Sequence, residues 1–297
     1  MRIVMTGATS GIGLEAAKAL ITMPGVSLVI GARRPDSLPA ALVGRVTALP
    51  LDLDNLDSVA QFALDVAALG PIDAVIGNAG IQIVSPQRSA QGFERCFAVN
   101  HLAHYLLVRR LLPHIATNGR IILTSSGTHD PDRSTGIPPP RHAKAEWLAF
   151  PDRDPAADTS PGLAGRRAYS TSKLCNLMTI RELARRSGNR PDLTLLAFDP
   201  GFVPGTGLAR DYGPMIRWLF RRILPIVVRG ENVSTARASG RALAALATES
   251  GFAGGRGLYW SMTRRRPVVR TPSTLARDDA ACAALWEESA PLVGLVP

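Results

Sequence analysis

Tyr169 and Lys173, four residues apart, are the pair in this sequence best suited to chemistry. On a helix, residues with this spacing share one face, so the two side chains lie side by side. A lysine ammonium favours the phenolate over the phenol and therefore lowers the pKa of a neighbouring tyrosine. A tyrosine has an ordinary pKa of about 10, and one placed in this way donates and accepts protons near neutral pH. The pair predicts acid–base catalysis on a helix.

A glycine-rich segment near the start of the chain predicts a phosphate site. It follows the apolar run 3–6 and precedes a helical pattern. Where glycines open a helix after a strand, the absence of Cβ atoms lets backbone N–H groups and the helix N-terminus meet a pyrophosphate. An ordinary glycine-rich turn has the same spacing, so the pattern alone leaves both interpretations open. The candidate nucleotide contacts here are Gly7, Thr9, Ser10, Gly11, Ile12 and Gly13.

Two arginines indicate which nucleotide the chain prefers. The second predicted strand, 27–32, runs directly into Arg33 and Arg34. An NAD site usually has an acidic residue here for the ribose 2′-hydroxyl, whereas a cationic residue accommodates a 2′-phosphate. Because guanidinium groups bind phosphate through paired hydrogen bonds, the sequence favours NADP(H) over NAD(H).

Short apolar runs alternate with helical patterns along the chain, which is typical of parallel βαβ units. We therefore predict an α/β protein with a single doubly wound domain over residues 1–297, in which a central parallel sheet of about seven strands has helices on both faces. The proline-rich stretch 127–165 is interpreted as a loop insertion, 202–229 as a substrate lid and 263–297 as a C-terminal extension. Long helices are expected at 92–115 and 169–186, and the last strand at 257–260.

Composition narrows the class of protein. Hydrophobic residues make up 46% of the 297 residues, which supports a sizeable core, but no apolar run approaches the roughly 18 residues of a membrane span. The net charge of +10 comes almost entirely from arginines in short groups, without the aromatic residues or motifs of nucleic-acid binding. Nucleic acid is therefore not an expected partner. The first residues leave no room for a signal peptide, so we expect a cytoplasmic protein.

Cysteines and histidines give no pattern typical of a metal site or a disulfide framework. The three cysteines are widely spaced and odd in number. His101 and His104 share one helix face with no third ligand in sight, so we expect them to pack or to form hydrogen bonds. No metal is predicted.

Four motifs occur in an order that resembles the short-chain dehydrogenase/reductase superfamily. They are the glycine turn, Asn78-Ala79-Gly80, Ser125-Ser126 and the segment from Tyr169 to Lys173. The resemblance covers nearly all of the chain and implies a Rossmann-type, nucleotide-binding fold.

The resemblance also implies a role for individual residues. Tyr169 would be the catalytic acid and base, Lys173 would lower its pKa and bind the nicotinamide ribose, and Ser126 would hydrogen-bond the reacting oxygen. Asn100 would hold a water in a proton relay behind the lysine. Ser126 as a plain strand end and Asn100 as a buried polar contact are the alternatives. Further cofactor contacts are implied at Asp52, Leu53, Asn78, Ala79, Gly80, Pro200, Gly201 and Val203.

Within the superfamily, the chain is similar to the branch of retinol dehydrogenases and light-dependent protochlorophyllide reductases, through the segments 100–107 and 172–176. Two departures bear on function. Protochlorophyllide reductases have Pro-Gly-Cys where this chain has Pro-Gly-Phe, which ends at Phe202. They have Asn-Ala-Ala where this chain has Asn-Ala-Gly, which ends at Gly80. We therefore expect NADP(H)-dependent interconversion of a carbonyl and an alcohol on a lipophilic small molecule. Light-dependent reduction of a tetrapyrrole double bond and a non-catalytic nucleotide-sensing module are the alternatives.

Substrate choice is expected to lie in the loops at the carboxyl ends of the strands, with Phe202 and Trp218 as candidate contacts. The apolar stretch 215–224 has interspersed arginines. It is interpreted as a lid helix, with peripheral membrane contact and subunit packing as alternatives. The resemblance suggests a homo-oligomer formed through the helices near 92–115 and 169–186, although a C-terminal extension of this kind also occurs on monomers.

Overall fold

Eight strands form the sheet that positions the site, and the computed structural model describes residues 1–204 and 230–296. The strands are β1 (Arg2–Thr6), β2 (Ser27–Ala32), β3 (Thr47–Pro50), β4 (Ile72–Gly77), β5 (Ile115–Thr124), β6 (Thr194–Asp199), β7 (Arg256–Thr263) and β8 (Arg266–Val269). Their order is β3-β2-β1-β4-β5-β6-β7-β8, with β8 antiparallel to β7 and all other pairs parallel. The predicted α/β doubly wound fold is confirmed. The strand order reverses direction between β1 and β4, where such sheets open a crevice.

The described helices lie on both faces of this sheet. They are α1 (Gly11–Leu20), α2 (Leu56–Ala68), α3 (Arg95–Phe97), α4 (Ala103–Leu111), α5 (Ala145–Ala149), α6 (Pro161–Arg186), α7 (Ala236–Thr248) and α8 (Asp279–Leu292). A π-helical segment, Ala98–Leu102, joins α3 to α4.

Alternate residues of each strand enter different cores, because successive side chains point to opposite faces. In β1, Val4 packs with the residues of α2, α4, α6 and α8. Its neighbour Met5 packs with those of α1 and α7. Both side chains are fully buried. Burial on both faces accounts for the continuous apolar runs that the sequence shows in its strands.

Several element boundaries differ from the sequence prediction, most clearly at the helix that carries Tyr169 and in the insertion. The helix expected from residue 169 begins at Pro161, eight residues earlier, because proline fits the first turn of a helix, where its missing N–H costs nothing. The insertion therefore ends before Pro161, and it contains the short helix Ala145–Ala149 in a stretch interpreted as irregular.

The sequence analysis also missed the hairpin that carries β8. The two residues between β7 and β8, Arg264 and Arg265, have φ angles of 50° and 61°. Two-residue hairpin loops of this kind usually contain Asn or Gly, which tolerate positive φ, so an Arg-Arg pair gives no turn signal. The sheet consequently has one more strand than expected.

The C-terminal extension packs on α4 and α6 through its helix α8. Tyr105 donates a hydrogen bond to the Trp286 carbonyl at 2.8 Å, and Arg186 forms an ion pair with Glu287 at 2.7 Å. His101 Nε2 lies 3.1 Å from Ser289 Oγ. Helix α8 thus packs on the two helical regions through which the sequence analysis expects an oligomer to form.

Some predictions fall on residues that the structure leaves undescribed. Trp218, the stretch 215–224 and most of the substrate lid lie outside the described residues. Among the helices of residues 1–204 and 230–296, none has the length and hydropathy needed to cross a bilayer.

The His101 imidazole makes the stability of the fold depend on pH. Burial lowers the pKa of His101 to about 3, whereas the ordinary value is 6.5. As the pH falls, the unfolded chain therefore takes up a proton at His101 before the folded chain does. The contribution of the neutral His101 ring to stability is fully present above pH 6.5 and is lost as the pH falls toward 3. The free energy of unfolding is measured by urea unfolding between about pH 6 and pH 5. We expect its slope against pH to be smaller in His101→Gln than in the unmodified protein, by about 1.4 kcal/mol per pH unit.

The exposed His114 provides the control for this experiment. His114→Gln is expected to keep the pH dependence of the unmodified protein. Equal slopes for the unmodified chain and His101→Gln would show that His101 is not buried in its neutral form.

Candidate active site

A cavity of about 1010 Å³ opens at the carboxyl ends of the parallel strands. Residues that follow the ends of six strands, β1 to β6, contribute to its wall, as the reversal of strand order leads one to expect. Of the predicted site residues, the wall contains Gly7, Thr9, Ser10, Gly11, Ile12, Gly13, Arg33, Asp52, Leu53, Asn78, Ala79, Gly80, Ser126, Tyr169, Lys173, Pro200, Gly201, Phe202 and Val203. Two described candidates, Arg34 and Asn100, do not line it.

The glycine turn at one end of the cavity has no room for a side chain at Gly7 or Gly13. Gly7 and Gly11 have φ angles of +67° and +56°. A Cβ on Gly7 would lie 2.7 Å from Ala79 Cα, and one on Gly13 would overlap the Gly7 carbonyl. The turn leads into α1, whose N-terminus carries the positive end of the helix dipole and has no acidic residue in its first turn. These features fit a pyrophosphate held by backbone N–H groups.

The Thr6 hydroxyl fixes the turn that faces the glycines. It accepts hydrogen bonds from the backbone N–H groups of Asn78 and Ala79, each at 3.1 Å, and lies 2.9 Å from His104 Nε2. His104 Nδ1 in turn donates to the Asn100 carbonyl at 3.0 Å, since a carbonyl only accepts. Burial lowers the pKa of His104 to about 4, so the ring is neutral and Nε2 is free to accept from Thr6.

Asn100 braces the far side of this arrangement. It is fully buried in the π-helical segment, a helix distortion that occurs frequently at functional sites. Its Oδ1 accepts from the Ile81 N–H at 2.8 Å, and its Nδ2 donates to the Ile81 carbonyl and to Ser172 Oγ, each at 2.9 Å. These hydrogen bonds join the π-helical segment to the turn after β4 and to α6, so the side chain has a structural role. Its role in holding a relay water stays a prediction.

Lys173 lies on α6 and lines the cavity, with its side chain directed toward the end of β5 and the turn after β4. Its Nζ donates to the Thr124 carbonyl at 3.2 Å and is 5.9 Å from the centre of the Tyr169 ring. A Cβ on Gly80 would approach this Nζ to 3.0 Å. Burial lowers the pKa of Lys173 to about 8, so the side chain still carries its charge at pH 7.

The Tyr169 phenol is more strongly protonated than the sequence analysis predicts. Burial raises the pKa of Tyr169, and the neighbouring Ser126 hydroxyl opposes this shift only in part. The loss of hydration thus outweighs the favourable interactions that the spacing of Tyr169 and Lys173 suggests. The expectation of a lowered pKa is replaced by that of a phenol that keeps its proton at neutral pH.

Consecutive serines after β5 have different environments. Ser125 is buried, and its hydroxyl donates to the Lys173 carbonyl at 2.8 Å, which joins β5 to α6. Ser126 is partly exposed, and its Oγ accepts from the Thr128 N–H at 3.3 Å. Ser126 therefore presents the more available hydroxyl near Tyr169.

Comparisons with known proteins agree with this geometry. The family model of short chain dehydrogenases matches residues 1–135. The chain is 33% identical to Protochlorophyllide reductase A of Oryza sativa subsp. japonica, over 99% of this chain and 81% of that protein. It is 31% identical to the Protochlorophyllide reductase of Chlamydomonas reinhardtii, over 98% and 77% of the two chains. The chain belongs to the short-chain dehydrogenase/reductase superfamily. Within the superfamily, it lies in a branch similar to the protochlorophyllide reductases.

Solved structures of other proteins share the fold. A protein of Mycobacterium Paratuberculosis is 28% identical, with a TM-score of 0.74 over 99% of this chain and 94% of that one. The NADPH-bound carbonyl reductase from chicken fatty liver is 17% identical, with a TM-score of 0.60 over 91% and 94%. At this identity, the second likeness concerns the fold alone.

Three residues near Ser126 were missed by the sequence analysis. His129 Nδ1 donates to the Ser126 carbonyl at 2.7 Å, and the Ser273 N–H donates to His129 Nε2 at 3.3 Å. Arg133 forms an ion pair with Asp199 at 3.2 Å. Asp199 directly precedes the Pro200-Gly201 turn, which is a signal that sequence reasoning could have used. His129 and Arg133 lie in the insertion, where only the tertiary fold reveals their partners.

Removing the Thr6 hydroxyl is expected to destabilise the protein. Thr6→Val keeps the shape of the side chain but leaves the N–H groups of Asn78 and Ala79 without their acceptor. Because an unsatisfied buried donor costs about 1–3 kcal/mol, we expect a loss of about 2 kcal/mol or more in urea unfolding. Thr6→Ser is the matched control, since it keeps the hydroxyl and loses only a methyl group. If Thr6→Val proved as stable as Thr6→Ser, the hydroxyl would not hold the turn.

Proposed function

We propose that this chain is an NADP(H)-dependent oxidoreductase that interconverts a carbonyl compound and an alcohol by hydride transfer, with Tyr169 as acid and base. One observation carries the proposal. A single cavity has the glycine turn and the N-terminus of α1 at one end and the Ser126 and Tyr169 hydroxyls in its wall. A nucleotide and a reacting oxygen would therefore meet in one site.

The preference for NADP(H) rests on Arg33. This residue follows the last residue of β2 and lines the cavity, so its guanidinium suits a 2′-phosphate. Arg34 does not line the cavity, and we assign the main contact to Arg33. The carbonyl reductase from chicken fatty liver is a protein of the same fold that binds NADPH. Asp52 and Leu53 line the same region and suit the adenosine.

In the proposed reduction, NADPH supplies the hydride when it is bound. Tyr169 keeps its proton at neutral pH because burial disfavours the phenolate, and it donates this proton as charge develops on the substrate oxygen. The Ser126 hydroxyl stabilises that oxygen by a hydrogen bond. Lys173, charged at pH 7 and held by the Thr124 carbonyl, would hold the ribose and favour the phenolate that remains.

The substrate end of the cavity favours a compound with apolar parts. Ile83, Ile137 and Phe202 line it, and Phe202 is 39% exposed. The intact set of Ser126, Tyr169 and Lys173 argues against a non-catalytic nucleotide-sensing module.

Reduction of a tetrapyrrole double bond is the second candidate, and the 33% identity to Protochlorophyllide reductase A over nearly the whole chain favours it. Chemistry favours the carbonyl. Two hydroxyls suit an oxygen on which charge develops, whereas a carbon–carbon double bond needs a single proton at carbon. The two departures, Phe202 and Gly80, both lie in the cavity wall. An alanine at position 80 would press on Lys173 Nζ.

Tyr169→Phe tests the proposed chemistry. NADPH consumption is followed by absorbance in the dark with ketones, aldehydes, quinones and retinoids. The loss of a positioned acid is expected to lower kcat by about 10²- to 10⁴-fold, while the Kd for NADPH stays within a factor of about two. Tyr105→Phe is the matched control. It removes a buried phenol that bonds only distant groups, at Trp286 and Arg109, and it is expected to keep its activity.

Light separates the two candidate reactions. The same assay is run with protochlorophyllide, in the dark and under illumination. Turnover of a carbonyl compound in the dark supports the proposal. Conversion of the pigment only in light, with no dark turnover of any carbonyl compound, would replace it by the second candidate. Undiminished dark turnover by Tyr169→Phe would overturn the role of the phenol.

A further inference from the structure

A guanidinium lies beside Ser126 and takes no part in the proposed hydride transfer. Arg133 comes from the insertion and lines the cavity. A Cβ on Gly127 would lie 3.1 Å from the central carbon of this guanidinium, so the group rests against the backbone of the residue that follows Ser126. Any group bound there lies close to the reacting oxygen.

Asp199 holds this guanidinium in place. Arg133 Nη1 donates to Asp199 Oδ2 at 3.2 Å. The same carboxylate also accepts hydrogen bonds from Ser261 Oγ at 2.7 Å, the Tyr259 hydroxyl at 3.1 Å and the Gly201 N–H at 2.9 Å. Its side chain is 3% exposed. Because its other partners come from β7 and the Gly201 turn, the carboxylate is a rigid anchor for Arg133.

The hydrogen bond to Asp199 uses one of the five N–H donors of the Arg133 guanidinium. Within residues 1–204 and 230–296, the Arg133 side chain has no other hydrogen-bond partner, and it is 23% exposed toward the cavity. The remaining donors are therefore available to a ligand.

The other described cations in the cavity wall are either paired with other groups or distant from Ser126. Arg95 donates to Asp54 at 2.9 Å and also to Gln87. Lys173 is buried and donates to the Thr124 carbonyl. Arg33 follows β2, on the far side of β1 from Ser126. Among the described residues, Arg133 is thus the cation near Ser126 that has donors to spare.

We propose that Arg133 binds a carboxylate of the substrate, so that the compound converted at Ser126 and Tyr169 is an oxo acid or its hydroxy acid. This inference rests on the proposed function. A guanidinium presents parallel N–H groups that match a carboxylate, and such charge-assisted pairs are strong and directional. A buried anchor on one edge leaves the opposite edge oriented for such a pair. A guanidinium that served only to fasten the insertion would show no preference between an acid and its ester.

Calorimetric titration of the full chain, saturated with NADP⁺ so that no reduction occurs, tests this assignment. The probes are three aryl or alkyl oxo acids of increasing size, each paired with its methyl ester. The unmodified protein is expected to bind at least one acid about tenfold or more tightly than its ester. Arg133→Gln is expected to remove this preference, and Arg133→Lys to keep part of it because a charge remains.

Arg153→Gln is the matched control. Arg153 lies in the same insertion, is 57% exposed and pairs with Glu146 outside the cavity wall, so its loss should leave the acid preference unchanged. Thermal unfolding of each variant shows whether it is folded. Equal binding of every acid and its ester by the unmodified protein, or a preference that survives Arg133→Gln, would overturn the inference.

The binding assay separates this inference from the proposed function. Affinities measured with NADP⁺ need no turnover, so an acid preference that depends on Arg133 stands even if hydride transfer fails. Dark reduction of neutral ketones, together with no acid preference, would leave the proposed function intact and remove the substrate assignment.

Discussion

The Thr6 hydroxyl, at the end of β1, links three parts of the site through its hydrogen bonds. It accepts hydrogen bonds from two backbone N–H groups of the turn after β4 and is within hydrogen-bond distance of His104 in α4. Each of these groups is buried or partly buried, where an unpaired donor is costly. A single hydroxyl thereby fixes the wall of the cavity opposite the glycine turn.

From Thr6, the buried hydrogen bonds continue to the helix that carries Tyr169. His104 bonds the carbonyl of Asn100, whose side-chain amide donates to Ser172 Oγ at 2.9 Å. Ser172 Oγ donates to the Tyr169 carbonyl at 2.7 Å. The chain of bonds works only with a neutral His104, and burial supplies that state by lowering its pKa to about 4. The turn that faces the glycines and the helix that carries the proposed proton donor are thus joined by one polar network, which accounts for an asparagine in a helix interior.

Much of the fold and the cavity could be predicted because it depends on local patterns. Strands β1 and β2 read as apolar runs since both of their faces are buried, and the glycine turn is dictated by close backbone approach at Gly7 and Gly13. What escaped prediction depends on distant partners or on desolvation. The Arg264-Arg265 hairpin adopts positive φ without the usual residues. The raised pKa of Tyr169 arises from burial, which spacing along a helix does not report. Arg133 becomes meaningful only when Asp199, 66 residues away, is seen to hold it.

A crystal structure of the chain with NADPH bound tests the central claim most directly, namely that the glycine turn and the hydroxyl pair form one site. The account predicts that the pyrophosphate lies against the turn 7–13, that the 2′-phosphate contacts Arg33 and that the nicotinamide ring lies beside Tyr169. A nucleotide bound elsewhere, or one whose nicotinamide ring points away from Tyr169 and Ser126, would contradict it.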